Sequence, residues 1–360
     1  MRRSRPRSAL RALGWLGLLT CAVLAGAECG ARLDDLLFEG IPFSANPSSD
    51  DLVTRDEYGR HGRPYARFQK WQLDNLGFRG PDVARAPMPG VPRVLVMGAS
   101  ETFGLHEPPG REFVAVLRSA NPDLEVINTA VVGMGLGSMN IYWQRLLASL
   151  RPAVVLIYPT PLFYLADEPA PKRAAGTGAG APASPPSRSR FLDRLRGVLH
   201  MPHFIRCRLD ERTIAADLAR APGGMFTAVP TERLDDYQRD LTQLVQEIKD
   251  SGARVLLVTH ALRYRGGEPD LEERFDVVEE RVYNPRASGR ILSEFNTAAN
   301  LRLQEVARAQ AVPVIDLAAV LTGCEECFGD LVHFSELGSA RAAAVIEPVL
   351  RAAAHGGAGR

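Results

Sequence analysis

The sequence predicts a doubly wound α/β fold, in which a parallel sheet of about five strands carries helices on both faces. Short apolar runs alternate along the chain with helical periods, which is typical of strand–helix–strand units. The runs are continuous rather than alternating, as expected of central parallel strands that are buried on both faces. The five runs are Val94–Met97, Glu125–Asn128, Ala153–Tyr158, Arg254–Thr259 and Val312–Asp316.

Amphipathic helices are predicted before the fourth and the fifth run. In the first of these helices the apolar side chains share one face, and Gly252 follows as a C-terminal stop. In the second helix, Ile291, Phe295 and Val306 repeat with a helical period. Because sites in such sheets lie beyond the C-terminal ends of the strands, the residues that follow each run are the ones to search for chemistry.

The N-terminus predicts a membrane segment. The stretch from Met1 to Arg11 holds five arginines and no acid, and the chain then stays uncharged from Leu13 to Ala27. This pattern fits either a signal anchor or a signal peptide cleaved after the small residues 25–27. The helical pattern continues as far as Leu37, which favours an uncleaved anchor. The positive-inside rule then places the remainder outside the cytoplasm, in the periplasm or outside the cell.

These observations give a layout for the whole chain. We expect a cytoplasmic basic tail at 1–12, a signal anchor at 13–30, a membrane-proximal segment at 31–92 and the α/β domain at 93–354. Within that domain, 169–190 is rich in Ala, Gly, Pro and Ser without apolar periodicity, and is interpreted as a flexible insertion.

Composition excludes some partners. The formal net charge of the 360-residue chain is +1, so no global field favours nucleic acid. No run of basic residues with interleaved aromatics occurs, and nucleic-acid binding is therefore not expected. Cys324 and Cys327 form a lone CxxC, whereas a structural zinc site needs four ligands. A short disulfide is favoured in an oxidising compartment, with two reduced thiols as the alternative.

Three stretches that follow predicted strands carry candidate chemistry. Ser100 follows the first strand, and a serine hydroxyl becomes a nucleophile only beside a base that a third group orients. Gly133 ends the loop after the second strand, where a backbone N–H could approach an oxyanion. Asp330 precedes His333 by three residues after the last strand, a spacing that can set a carboxylate against one imidazole nitrogen. Helix capping would explain Ser335 without any function.

In this order the three stretches resemble the SGNH/GDSL hydrolase family, membrane-anchored bacterial type. The nucleophile block is similar to residues 96–101, and the last block is similar to residues 330–335. Residues 75–80 resemble the lead-in of membrane-anchored bacterial members. The resemblance covers roughly 93–350 and implies a flavodoxin-like strand order.

The resemblance implies a role for each residue. Ser100 would be the nucleophile, His333 the general base and acid, and Asp330 the carboxylate that orients it. The backbone N–H groups of Ser100 and Gly133 would form part of the oxyanion hole. Most members carry Gly-x-Asn-Asp after the third strand, whereas this chain has Tyr158-Pro159-Thr160-Pro161 there. Thr160 could supply a replacement hydroxyl, although an exposed turn residue is the simpler interpretation. Loss of one such donor costs about 100- to 1000-fold in turnover.

The resulting prediction is a serine esterase that acts on an O-acyl ester, with an envelope carbohydrate as the candidate substrate, and that needs no cofactor or metal. An O-acyltransferase to a glycan and a degenerate glycan-binding module remain open as alternatives. His260 follows the fourth strand and could line the same cleft, with a structural role favoured. His61, His106, His200 and His203 show no partner pattern and are interpreted as surface or loop residues.

Overall fold

The computed structural model describes residues 6–38, 42–44, 52–68, 70–166 and 224–356. The insertion predicted at 169–190 lies outside these residues, as do His200 and His203. The chain begins with helix α1 (Pro6–Phe38), whose stretch Gly14–Asp34 is long and apolar enough to cross a membrane. Only 6% of that stretch is buried against the protein, although a signal sequence near an N-terminus would meet the same criteria.

Two small antiparallel pairs follow in the membrane-proximal segment. Strand β1 (Val53–Asp56) pairs with β2 (Gly59–Gly62), and β3 (Arg67–Phe68) pairs with β4 (Trp71–Gln72). An apolar cluster packs this segment against the main domain, since Phe68, Trp71 and Leu73 share it with Phe103 and Ala130. The segment is therefore part of the folded body and contacts the turn that follows the first central strand.

The main sheet has five parallel strands. They are β5 (Arg93–Gly98), β6 (Glu125–Asn128), β7 (Val154–Tyr158), β8 (Arg254–Val258) and β9 (Val314–Ile315). Their order across the sheet is β6-β5-β7-β8-β9, all neighbours parallel. Every residue of β5 and β7 is buried, as continuous apolar runs require. The fold class and the flavodoxin-like order are confirmed.

The last strand is shorter than the run Val312–Asp316 predicts. It holds only Val314 and Ile315, because Pro313 has no N–H to give to the ladder and offers only its carbonyl, which accepts from Leu257. Asp316 leaves the strand to cap the next helix, where its side chain accepts from the N–H of Ala319.

Helices cover both faces of the sheet, as the prediction requires. The helices of the described residues are α2 (Ser100–Phe103), α3 (Phe113–Ala120), α4 (Leu136–Arg145), α5 (Thr231–Asp250), α6 (Phe275–Glu280), α7 (Gly289–Gln310), α8 (Leu317–Leu321) and α9 (Glu336–His355). One core joins α4, α5 and α7 to strand residues such as Leu95 and Val155, and the other joins α3 and α9 to Val94 and Val154. The alternation of β5 and β7 side chains between the two cores makes the sheet the central layer.

Candidate active site

Ser100 lies at the carboxyl end of β5, where the chain turns sharply into α2. A Cβ atom at Gly98 would lie 2.0 Å from Thr102 Oγ1 and 3.0 Å from the carbonyl oxygen of Tyr158, so a side chain at this position does not fit. The four-residue helix ends at Gly104, whose φ of +88° is readily adopted only by glycine. The turn leaves Ser100 8% exposed at the edge of the sheet where sites form in this fold.

A buried arginine from the membrane-proximal segment holds the far end of this turn. Arg79 donates from Nη1 to the carbonyl oxygens of Phe103, at 2.6 Å, and of Gly104. Its Nη2 donates to the carbonyl of Glu107 and forms an ion pair with Glu112, each at 3.2 Å. The guanidinium is therefore committed to the polypeptide around α2.

Asp330 and His333 form a hydrogen-bonded pair in the loop before α9. Asp330 Oδ1 accepts from the backbone N–H groups of Val332, at 3.0 Å, and His333, at 2.8 Å. Asp330 Oδ2 lies 2.7 Å from Nδ1 of His333. The loop is closed by an isolated bridge between Phe328 and Phe334, so the two side chains share a fixed frame. The spacing of three residues brings carboxylate and imidazole together.

The outer nitrogen of this pair is unused. Nε2 of His333 is buried and has no hydrogen-bond partner. The hydroxyl of Ser100 donates elsewhere, to Oε2 of Glu101 at 3.3 Å. The two residues that the resemblance names as base and nucleophile are thus not joined by a hydrogen bond in this structure.

The electrostatics of the pair favour a charged imidazole. Burial lowers the pKa of His333, but the charge and hydrogen bond of Asp330, together with the charge of Glu101, outweigh burial and raise it to about 9. Burial raises the pKa of Asp330, yet His333 and His106 outweigh burial and hold it well below its usual range. At neutral pH the arrangement is imidazolium beside carboxylate.

His106 is a functional-site residue that the sequence interpretation missed. Its Nε2 lies 2.9 Å from Oδ2 of Asp330, and its ring meets the ring of His333 edge-on at 5.7 Å. His106 does lie in a loop, as expected, but it has a partner at the candidate site that the sequence pattern did not indicate. A Cβ atom on Gly329 would lie 2.6 Å from this ring, so the glycine leaves room for it. His61, also expected at the surface, is 7% exposed and stacks on Tyr142.

Two imidazoles and one carboxylate also form a set that could hold a cation. The nearest ligand atoms of His106, Asp330 and His333 lie within 4.8 Å of one another. In this structure, however, Oδ2 of Asp330 is the hydrogen-bond acceptor for both rings. The geometry is that of a shared acceptor, and it accounts for the contacts without a metal ion.

A second histidine–carboxylate pair lies next to Ser100, the candidate nucleophile. His260 is fully buried after β8, with Nε2 3.1 Å from Oε1 of Glu101 and Nδ1 2.7 Å from Oδ1 of Asn296. Burial raises the pKa of Glu101, but the hydrogen bond and charge of His260 and the charge of His333 lower it below its ordinary value. One feature of the sequence could have indicated this pair, namely an acid directly after the candidate nucleophile.

Thr160 belongs to this second pair. Its hydroxyl donates to Oε1 of Glu101 at 2.8 Å, and the residue is 7% exposed, so the expectation of an exposed turn residue was wrong. A hydroxyl can donate one hydrogen bond, and here Thr160 donates it to Oε1 of Glu101. A contribution of Thr160 to an oxyanion hole stays a prediction, and this geometry counts against it.

Gly133 lies exposed in the loop between β6 and α4. Its φ of +70° is the reason that a glycine stands there. The guanidinium of Arg60 covers the loop, since its Nε donates to the carbonyl of Val132 at 2.8 Å and a Cβ on Gly133 would meet it at 3.3 Å. The oxyanion roles of the Gly133 and Ser100 N–H groups remain predictions.

Two further features border the site. Glu280, the last residue of α6, accepts a hydrogen bond from Asn284 at 3.0 Å. Burial and the charge of Asp330 raise the pKa of Glu280 to about 8. Cys324 and Cys327 are joined by a disulfide. The carbonyl of Cys327 accepts from the N–H of Ser335, which ties the disulfide to the loop that carries His333.

Comparison with known proteins gives structural neighbours only. No protein-family model matches the sequence, and no curated protein matches it. The fold is similar to TesA, with 16% identity, a TM-score of 0.42 and coverage of 72% of this chain and 99% of that one. It is also similar to a GDSL-like lipase from Bacteroides thetaiotaomicron, with 13% identity, a TM-score of 0.42 and coverage of 75% and 93%.

An acetyl xylan esterase is similar as well, with 12% identity, a TM-score of 0.41 and coverage of 72% of this chain and 99% of that one. These neighbours include members of the GDSL group that the sequence motifs resemble. At this level of identity and superposition the similarity says nothing about substrate or catalytic residues.

Proposed function

We propose that this protein is a serine esterase of SGNH/GDSL type that cleaves an O-acyl ester. The observation that carries the proposal is the Asp330–His333 pair, whose outer nitrogen Nε2 is buried and unpaired. A buried polar atom without a partner is costly, and such atoms are kept where a reaction needs them. Ser100 supplies a hydroxyl at the same edge of the sheet.

The reaction follows from these groups. The reaction starts from the neutral form of His333, in which Nε2 is free to accept a proton. Ser100 attacks the ester carbonyl, and its proton passes to Nε2 of His333, which then gives that proton to the leaving alcohol. Water then attacks the carbonyl of the acyl-enzyme while His333 takes one of its protons. The bond between the acyl group and Oγ of Ser100 breaks, His333 returns the proton to Oγ, and the free acid leaves. Asp330 holds Nδ1–H, so that Nε2 is the nitrogen that accepts the proton.

The proposed location of the protein in the cell restricts the substrate class. Five arginines precede the stretch Gly14–Asp34 of α1, which could cross a membrane, so we place the esterase domain outside the cytoplasm on an uncleaved anchor. An acylated envelope carbohydrate is the substrate class that fits this address.

The test is hydrolysis of p-nitrophenyl acetate and butyrate by the full-length protein in detergent, beside Ser100→Ala and His333→Ala. We expect turnover by the wild type and none above background in either variant. Turnover that survives in Ser100→Ala would contradict the proposed nucleophile. A folded wild type that does not cleave either ester would contradict the esterase.

An O-acyltransferase is the second candidate, because one observation favours it. The position of the family's third-block Asn is taken by Thr160, whose hydroxyl donates to Glu101. An oxyanion hole with fewer donors is compatible with an enzyme that uses a bound sugar hydroxyl in place of water. Incubation with an acyl donor and a glycan separates the two: free acid supports the esterase, and acylated glycan supports the transferase.

A further inference from the structure

The two carboxylate oxygens of Glu101 have different partners. Oε1 lies 3.1 Å from Nε2 of His260 and accepts the hydroxyl of Thr160 at 2.8 Å. Oε2 accepts the hydroxyl of Ser100 at 3.3 Å. One oxygen therefore anchors the side chain to the protein interior, and the other is presented to the candidate nucleophile. The carboxylate, only 1% exposed, is held in place whether or not Ser100 contacts it.

The hydrogen bonds that the ring of His260 makes determine its charge. Asn296 donates from Nδ2 to the carbonyl of His260 at 3.0 Å, so its Oδ1 must be the atom that faces Nδ1 of the ring at 2.7 Å. The other ring nitrogen faces Oε1 of Glu101. Because both nitrogens face acceptor oxygens, the ring donates from both and carries a positive charge. Glu101 and His260 then form a buried ion pair.

We propose that Glu101 is a second hydrogen-bond acceptor for the nucleophile, which holds the Ser100 hydroxyl while His333 is protonated and releases it to Nε2 of His333 when that ring is neutral. This inference rests on the proposed function for its consequence in catalysis. Glu101 is a catalytic residue in this scheme, because its Oε2 touches the reacting atom of Ser100.

The exchange balances in protons and changes no covalent bond except one N–H. His333 gives the proton on Nε2 to solvent and becomes a neutral acceptor. The hydroxyl of Ser100 then leaves Oε2 of Glu101 and donates to Nε2. Glu101 keeps its two bonds on Oε1 and remains ionised. The carboxylate therefore holds the hydroxyl of Ser100 in an orientation that does not react, and it takes no part in bond cleavage.

Four charged groups act on His333, and they come from separate elements. Asp330 lies in its own loop, Glu101 on α2, His106 in the loop after α2, and Glu280 at the end of α6. The charges of Asp330 and Glu101 raise the pKa of His333, and that of His106 lowers it. Loss of the charge on Glu101 should make His333 easier to deprotonate, since an opposite charge stabilises the imidazolium.

The experiment is nitrogen-15 NMR of the histidine rings in the full-length protein, selectively labelled and held in detergent micelles. In the wild type we expect both ring nitrogens of His260 to carry protons, because each faces an acceptor oxygen. In Glu101→Gln we expect the midpoint of His333 to fall by about one pH unit, which means a roughly tenfold larger neutral fraction at pH 7. The wild-type measurement needs no variant to fold.

Two variants serve as controls. Glu112→Gln removes another buried carboxylate, paired with Arg79, and should leave the midpoint of His333 in place. Ser100→Ala should leave both protons on His260, because Glu101 is anchored through Oε1. A wild-type His260 with one bare nitrogen would overturn the inference. So would a His333 midpoint that Glu101→Gln moves no further than Glu112→Gln does.

Labelling of Ser100 by a fluorophosphonate separates this inference from the proposed function. The pH at half-maximal labelling should follow the His333 midpoint in both the wild type and Glu101→Gln. If the histidine midpoints behave as expected while Ser100 never reacts and esters are not cleaved, the proposed function fails and the hold by Glu101 stands. If Ser100 reacts with the same pH midpoint in both proteins, the hold fails and the esterase stands.

Discussion

The structure holds two histidine–carboxylate pairs at the carboxyl edge of one sheet, and they differ in how completely they are satisfied. In the Glu101–His260 pair each ring nitrogen faces an oxygen, and the carboxylate takes further bonds from Thr160 and Ser100. In the Asp330–His333 pair, Nε2 of the ring is buried with no partner. We refer to them as the closed pair and the open pair.

Because of this difference, the closed pair is suited to holding its neighbours in place, and the open pair is suited to accepting a proton. A closed pair cannot accept a proton without breaking a hydrogen bond, so it can hold its neighbours in place but is a poor base. An open pair leaves a buried nitrogen unsatisfied at a cost of about 1–3 kcal/mol. The protein tolerates that cost where a substrate or a serine hydroxyl can complete the set. Of the two pairs, it is the closed pair that contacts Ser100 in this structure, because Oε2 of Glu101, the next residue in the chain, accepts the serine hydroxyl.

Breaking the open pair at its carboxylate should have the largest effect. Asp330→Asn places an amide against Nδ1 of His333 and favours the wrong tautomer, so we expect ester turnover to fall by about 10³- to 10⁴-fold. Steady-state kinetics with p-nitrophenyl acetate measures this loss. Asp316→Asn is the matched control, since that carboxylate caps α8 after the neighbouring strand. If turnover falls by less than tenfold in Asp330→Asn, Asp330 does not orient His333 for catalysis.

Breaking the closed pair should cost stability instead. His260→Gln removes the cation beside the buried carboxylate of Glu101, and we expect a loss of about 3–5 kcal/mol in the free energy of unfolding. Urea titration measures it. The double variant with Glu101→Gln should recover part of the loss, because no charge then remains buried. If the double variant is as unstable as the sum of the two single variants, the ion pair is not the cause.

The open pair should also make stability depend on pH. The pKa of His333 is raised from 6.5 to about 9, so the folded state binds this proton more tightly than the unfolded chain does. The stabilisation is complete below about pH 6.5, and about 3 kcal/mol is lost as pH rises through 9. Urea unfolding of the wild type and His333→Gln on both sides of this window measures the difference.

Glu280 provides the control for that measurement. Its pKa is raised from 4.5 to about 8, so it too loses stability with rising pH, but over the lower window from 4.5 to 8. Glu280→Gln should therefore remove the loss between pH 4.5 and 6.5, where His333 does not contribute, and keep the loss from pH 6.5 to about 9 that His333 causes. An unchanged profile in His333→Gln would show that the open pair is not the source.

The smallest expected effect comes from the second imidazole on Asp330. His106→Gln shortens the group that reaches Oδ2, and a hydrogen bond to a charged group contributes about 1.5–3 kcal/mol. Because the charge of His106 lowers the pKa of His333, its removal should raise the pH midpoint of ester cleavage while the turnover at the plateau falls by about tenfold or less. A pH profile of kcat/KM measures both. A lower pH midpoint in His106→Gln would contradict the interpretation that His106 and His333 share Oδ2 of Asp330 as their acceptor.

The fold was predictable because its signal is local. Continuous apolar runs identify buried parallel strands. Strands β7 and β8 are one residue shorter than their runs, and β9 is three residues shorter, since Pro313 cannot donate to the ladder. The open pair was equally accessible to sequence reasoning. Asp330 and His333 are three residues apart in one loop, so their proximity needs no knowledge of the rest of the chain.

The closed pair was not predictable in the same way, because it is assembled from three strands. Glu101 follows β5, Thr160 follows β7 and His260 follows β8, with 159 residues between the acid and the imidazole. Strand order alone brings them together at adjacent carboxyl ends. His106 was missed for the same reason, since its partner Asp330 lies 224 residues further along the chain.

The guanidinium of Arg79 sets where a shortened version of this protein can begin. A chain that begins at residue 93, the start of the expected α/β domain, would lack Arg79. The carbonyls of Phe103, Gly104 and Glu107 would then lose a hydrogen-bond donor, and the carboxylate of Glu112 would lose its ion-pair partner. The turn that carries Ser100 would then be unsupported at its far end. A soluble fragment for crystals or assays should therefore start between α1 and β1. In the membrane-anchored protein that we propose, a pull on α1 would reach the folded body through the same segment that supports the turn carrying Ser100.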